Sequence, residues 1–165
     1  MANRPYQQRE KRLLAEFIAL NRPANRVIFN FRLGPQAFRT AGPLPSNIPK
    51  NFFDNTRMYA DAAVVFPAYV ELWEAKAVLD GRAIGQLLEY QLAWPGSPDD
   101  PGLAHMETRL RIVTAVARPT AMRLAASLNI EVHLFTPAWI VAEFEQWYLN
   151  VTRPIAPSSA TVSGT

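Results

Sequence analysis

Cysteine is absent from the 165 residues, so no disulfide framework can form and no thiolate can hold a metal. Histidine is scarce as well: only His105 and His133 occur, too few without cysteine for a structural zinc site. No long apolar run is present. Leu13–Leu20 is interrupted by Glu16 and falls short of the roughly 20 residues that cross a bilayer. Met1–Arg12 is polar and basic, with no signal-peptide core behind it. The expectation is a soluble protein with no membrane partner, and the lack of disulfides suits a reducing compartment. Acidic residues are not in excess either. Seventeen Lys and Arg against 14 Asp and Glu leave a net charge of +3, which a polyanionic partner or an ordinary basic surface explains equally well.

A hydrophobic share of 49% is enough for one core, and the length is that of a single domain, placed here at 1–154. Residues 155–165 turn to Pro, Ser, Ala and Thr, which cannot build a core and read as a tail.

The pattern of apolar residues and chain breakers predicts the elements in order. Tyr6–Leu20 has helical spacing through Tyr6, Leu13, Leu14, Phe17 and Leu20, and Asn21-Arg22-Pro23 stops it. Arg26–Leu33 is a strand rich in β-branched and aromatic residues. Gly34–Lys50 is a long, proline-rich connection of the kind that often carries function. Met58–Phe66 and Tyr69–Val78 are two strands around Pro67, and Asp80-Gly81 ends the second. Arg82–Ala93 returns to helical spacing, and Trp94–Gly102 is a second loop. Thr108–Ala117 is a strand, Pro119–Leu128 a helix closed by Asn129, and Ile130–Phe135 the last strand. A final helix opens at Pro137, with Trp139, Ile140, Phe144, Trp147 and Tyr148 as its buried residues. The order α-β-β-β-α-β-α-β-α implies an α/β fold: a mixed central sheet flanked by helices.

Chemistry is concentrated between Asp61 and Tyr90. Side chains alternate along a strand, so Glu74 and Lys76 share one face, and Asp61 on the paired strand can stand beside Glu74. Two carboxylates and an ammonium then converge at a sheet edge. Carboxylates so close repel, and a hard cation such as Mg2+ relieves the repulsion. On the next helix Gln86 and Tyr90 lie one turn apart, on a polar face expected to look along that edge. Each feature alone has a plainer reading. Asp61 can cap a turn, Glu74 and Lys76 can form a surface ion pair of little energetic weight, and Gln86 and Tyr90 can be an ordinary polar face.

Taken together, Asp61, Glu74-Ala75-Lys76 and Gln86-x-x-x-Tyr90, in that order on strand, strand and helix, resemble the PD-(D/E)XK nuclease-like superfamily, in its RecB-like branch. Ala60 stands where the family name has proline. The resemblance spans about Tyr6 to Trp147 and implies a restriction-endonuclease-like three-layer core. It also implies a Glu on the first helix. Glu10 lies inside the stripe set by Tyr6, Leu13 and Phe17 whereas Glu16 lies off its centre, so Glu10 is the candidate.

The implied activity is hydrolysis of DNA with Mg2+ or Mn2+. Asp61, Glu74 and the Ala75 carbonyl would be metal ligands, with Lys76 at the attacking water and the phosphate. Glu10 would add an outer contact, while Gln86 and Tyr90 would orient Lys76 or touch the nucleic-acid backbone. Arg32, Arg57 and Arg82 are further candidates for phosphate contacts. Similar short proteins are common in tailed bacteriophages, where the fold also serves in head-completion or head–tail connector proteins. The alternative expectation is therefore a structural virion component that meets portal, capsid or neck proteins. Host cytoplasm or a phage particle would be the location. Trp73, alternating with Glu74, is expected to face away from the site, and His105 and His133 are expected to be incidental.

Overall fold

The computed structural model describes residues 5–23, 25–33, 58–94 and 100–152, and within them the side chains from Gln8 to Gln146. The Gly34–Lys50 connection, Arg57, most of the Trp94–Gly102 loop and the tail lie outside the described residues, as do the side chains of Tyr6, Trp147 and Tyr148.

Helix α1 (Pro5–Asn21) is followed by strands β1 (Arg26–Leu33), β2 (Met58–Val65) and β3 (Tyr69–Leu79). Then come α2 (Gly81–Ala93), a 3-10 turn at Pro101–Leu103, β4 (Glu107–Ala117), α3 (Pro119–Ser127), β5 (Glu131–Leu134) and α4 (Ala138–Thr152). The order matches the sequence reading, and the fold is α/β with a five-stranded mixed sheet flanked by helices.

The strands lie in chain order, β1-β2-β3-β4-β5. β1 with β2, and β2 with β3, run antiparallel; a short turn joins β2 to β3, whereas a long connection separates β1 from β2. The β2–β3 hairpin closes where the Phe66 N–H donates to the Tyr69 carbonyl at 2.9 Å. β3 with β4, and β4 with β5, run parallel, and each parallel step takes a helical crossover, α2 and then α3. Local chemistry starts and stops these helices. The Asp80 side chain accepts the Arg82 N–H and caps α2. Pro119 opens α3 with its fixed φ. Asn129, at φ 56°, adopts the left-handed conformation that ends α3, and the Ile130 N–H reaches back to the Ala125 carbonyl.

The sheet separates two apolar layers. On one face Val70, Leu72, Leu110 and Ile112 pack against Ile84, Leu87 and Trp94 of the α2 segment and Ala121 and Ala125 of α3. On the other, Trp73, Ala75, Val113 and Ala115 pack against Leu13, Leu14, Phe17 and Ile18 of α1 and Ile140 of α4. Leu20, expected on the buried stripe of α1, is exposed, and Ile18 is buried instead, in the layer between α1 and the sheet.

Two strands break their alternation at one level. Val27 and Phe31 have the same parity, yet Val27 packs on the α1 face and Phe31 on the α2 face. On β2, Ala62 and Val64 pack on the α1 face while Ala60 and Met58 pack on the α2 face. The reversals fall at Asn30 and Asp61, which stand opposite each other in the register and drop out of the ladder between Phe29↔Ala62 and Phe31↔Ala60. Asn30 has φ 51°.

The β2–β3 ladder stops at this level. It runs from Val65↔Val70 to Ala62↔Trp73 and no further, although β2 stays paired with β1 to Met58 and β3 with β4 to Leu79. A wedge opens between the second and third strands of the sheet. The candidate residues meet here, inside the sheet, and not at its edge as the sequence suggested. Strand order is set by distant pairings that no local pattern encodes.

Candidate active site

Antiparallel pairs alternate between bonded and non-bonded, so the bonded pair Phe66/Tyr69 makes Glu71, Trp73 and Ala75 the β3 residues whose amides and carbonyls point at β2. Ala75 would bond to Ala60 if the ladder continued. Instead the Asp61 carboxylate accepts the Ala75 N–H at 2.9 Å. Two residues on, the Ala77 N–H favours the charged form of Glu10 of α1. Along the open side of β3 the Asp61 carboxylate thus replaces a strand partner. The same alternation turns the Ala75 carbonyl into the wedge.

Glu74 and Lys76 stand on the α2 face of β3. Glu74 is only 2% exposed, so its charge needs partners, and it has two. Lys76 Nζ donates to one carboxylate oxygen at 2.6 Å, and the Tyr90 hydroxyl donates to the other at 3.1 Å. Lys76 Nζ also lies 3.9 Å from Glu10 Oε2. A closed sheet would keep Glu10 of α1 and Tyr90 of α2 in separate layers. The wedge lets both reach one cluster.

Asp61, Glu74, Lys76, Glu10 and Tyr90 are therefore brought together, with Ala75 between them. Gln86 is not: it is exposed on α2, and its side chain makes no hydrogen bond among the described residues. Tyr90 is buried and bound to Glu74, so the two are not a shared polar face along a sheet edge, and Tyr90 acts on the carboxylate instead of on Lys76. Glu16, the alternative on α1, accepts from Trp139 Nε1 at 2.7 Å and pairs with Arg12 at 2.9 Å, away from the cluster. Of the basic candidates, Arg82 is exposed at the start of α2, and Arg32 is half-buried and already engaged.

Negative charge exceeds positive charge in the cluster. Burial, followed by the repulsion of Asp61, pushes Glu74 up to about 7 despite Lys76 and Tyr90. Burial raises Asp61 as well, against the Ala75 amide, Lys76 and Lys11, and it raises Glu10. Burial alone would pull Lys76 down, but Glu74, Glu10 and Asp61 together hold it above its ordinary value. Burial and then Glu74 push Tyr90 up, so its hydroxyl stays a donor. Three carboxylates around one ammonium leave room for a proton or a cation.

No group of three or more His, Asp or Glu is placed to hold a metal by itself among the described residues. That donor set does not suit zinc. It does fit Mg2+, which takes one or two carboxylates and completes its shell with water and substrate phosphate. Because both Glu74 oxygens are already bonded, a cation here would share or displace Lys76 or Tyr90.

A second buried network was passed over in the sequence. Glu71, 1% exposed, accepts from Arg111 Nε at 3.1 Å, Trp73 Nε1 at 3.2 Å and Arg22 Nε at 3.3 Å. Arg111 continues to Glu131 at 2.7 Å, and Glu131 lies 3.2 Å from His133 Nε2. His133 packs its ring between Phe17 and Trp73, and burial lowers its pKa. This network fastens the end of α1 to β3, β4 and β5. The available signal was a glutamate on the apolar face of a central strand, two residues before Trp73.

No family model matches the chain, and no curated protein matches it. Among solved structures it is similar to a repair endonuclease from Pyrococcus abyssi, at 15% identity and a TM-score of 0.44. The match covers 83% of this chain and 50% of that one, so this chain spans about half the length of the endonuclease. The likeness is a distant one of fold and carries no catalytic site across.

Proposed function

We propose that this chain is a divalent-metal-dependent nuclease that hydrolyses DNA phosphodiester bonds, using Mg2+ or Mn2+. The observation that supports the reading is the meeting of Asp61, Glu74, Lys76 and Glu10 in the wedge, with an excess of negative charge. Asp61, Glu74 and the Ala75 carbonyl would hold the ion. When bound, it would acidify water and polarise the phosphoryl oxygen.

The chain's own residues would do the rest. Lys76, bonded to Glu74 and 3.9 Å from Glu10, would serve as a positive charge beside the phosphate. Tyr90 holds Glu74 in place through its second oxygen. Glu10 steadies Lys76 from the opposite layer.

Incubating the purified chain with supercoiled and linear DNA tests this. Nicking or degradation is expected with Mg2+ or Mn2+, none with a chelator, and a loss of roughly 100-fold or more in Lys76→Ala. Folded protein that binds Mn2+ yet leaves every form of DNA intact with both ions would remove the nuclease reading.

A further inference from the structure

We infer that Asn30, exposed on β1 and remote in sequence from every candidate ligand, is a positioning residue that opens the wedge and places Asp61 in it. The inference rests on the metal-dependent reading of the cluster but is carried by the backbone. Asn30 is one of two non-glycine residues with positive φ among those described, and the other, Asn129, ends a helix. Asn30 ends nothing. It sits mid-strand, opposite Asp61, where both strands reverse faces and neither residue takes part in the ladder.

A left-handed residue in a strand turns the pleat over. Asparagine tolerates that conformation, whereas a β-branched residue does not. Turning β1 carries its partner β2 with it. The β2 edge then rotates away from β3 after Ala62↔Trp73, and Asp61 is left to accept the Ala75 N–H that Ala60 would otherwise take. Without the reversal, ordinary alternation would pair β2 with β3 through Ala60, and the carboxylate would point out of the sheet.

The test compares Asn30→Gly, which keeps the left-handed backbone, with Asn30→Val, which opposes it, and with the milder Asn30→Ala should the valine variant not fold. Mn2+ affinity by calorimetry and Ala75 amide exchange by NMR are read on folded protein. Asn30→Gly is expected to keep Mn2+ affinity within about twofold. The valine or alanine variant should lose about tenfold or more, as when a group that orients a metal ligand is removed. Ala75 protection should fall in the same variants while Trp73, inside the ladder, stays protected.

A merely structural role would lower the melting temperature without moving either readout, and that result overturns the inference. If wild-type protein binds no Mn2+ but the exchange pattern changes as described, the metal reading falls and the positioning role stands. Unchanged Ala75 exchange in every variant sinks the positioning role, whatever the metal does.

Discussion

Glu74 is a buried carboxylate whose two oxygens are held by different elements, Lys76 on its own strand and Tyr90 on α2. Tyr90→Phe removes one of them at almost constant volume. We expect a loss of about 1 kcal/mol in denaturant unfolding, and a Glu74 that becomes harder still to ionise. No change in either would mean that water replaces the hydroxyl. Glu71 is a sharper case, since truncation leaves Arg111 and Arg22 facing a void. Glu71→Ala should cost about 3–5 kcal/mol, read from chemical melts, the usual result of removing one member of a buried ionic network. A cost under about 1 kcal/mol would show the arginines rehydrating freely. Glu74 and Lys76 were legible in the sequence because strand alternation sets which side chains share a face; Asp61 was legible as a carboxylate on the neighbouring strand, but the reversal that turns it into the wedge was not. Glu71 and Asn30 were not, because their roles depend on residues far away in the chain: Arg22, Arg111 and Glu131 for one, Asp61 for the other.

At the level of elements, punctuation residues did most of the prediction. Pro23, Pro67, Asp80-Gly81, Pro119 and Asn129 bracket strands and helices whose observed limits lie within a residue or two of those expected. Asp80 is the clearest instance, and Asp80→Ala should destabilise the domain by about 1 kcal/mol through the lost cap on α2, while Asp80→Asn should be nearly neutral. Thermal or chemical unfolding checks both, and equal losses in the two variants would show that the cap is not what the carboxylate supplies. β5 is one residue shorter at each end than expected, although the Phe135 N–H still donates across to the Thr114 carbonyl of β4, and α4 begins after Pro137. The placement of the site was misread. A strand pattern tells which residues face a core but not which neighbour lies alongside or where a ladder stops. An opening between the second and third strands leaves no trace in periodicity.

For the molecule as a whole, the cluster makes stability depend on pH and cation together. Glu74 has a folded pKa of about 7 against an ordinary 4.5, so between those values the native state holds a proton that the unfolded chain has released. Stability without metal therefore falls as pH rises through that window, by up to about 3 kcal/mol, and levels off above it. Asp61 and Glu10, also raised, act in the same sense. A divalent ion prefers the ionised carboxylate, so saturating Mg2+ should raise the melting temperature more at pH 8 than at pH 5, and Glu74→Gln should flatten both responses. Equal Mg2+ shifts at the two pH values would contradict this. Assembly order is a further consequence of how α1 is held. Arg9 pairs with Glu143, and Glu16 takes the indole N–H of Trp139, so the helix carrying Glu10 rests on α4 as well as on the sheet. During synthesis α1 emerges early, yet it must wait for β3 and β4 to supply the sheet face it covers, and its seat is complete only when Trp139 and Glu143 of α4 have left the ribosome. A nascent chain would then carry every acidic side chain of the cluster without the pocket, and the capacity to capture a cation would be among the last properties the domain acquires.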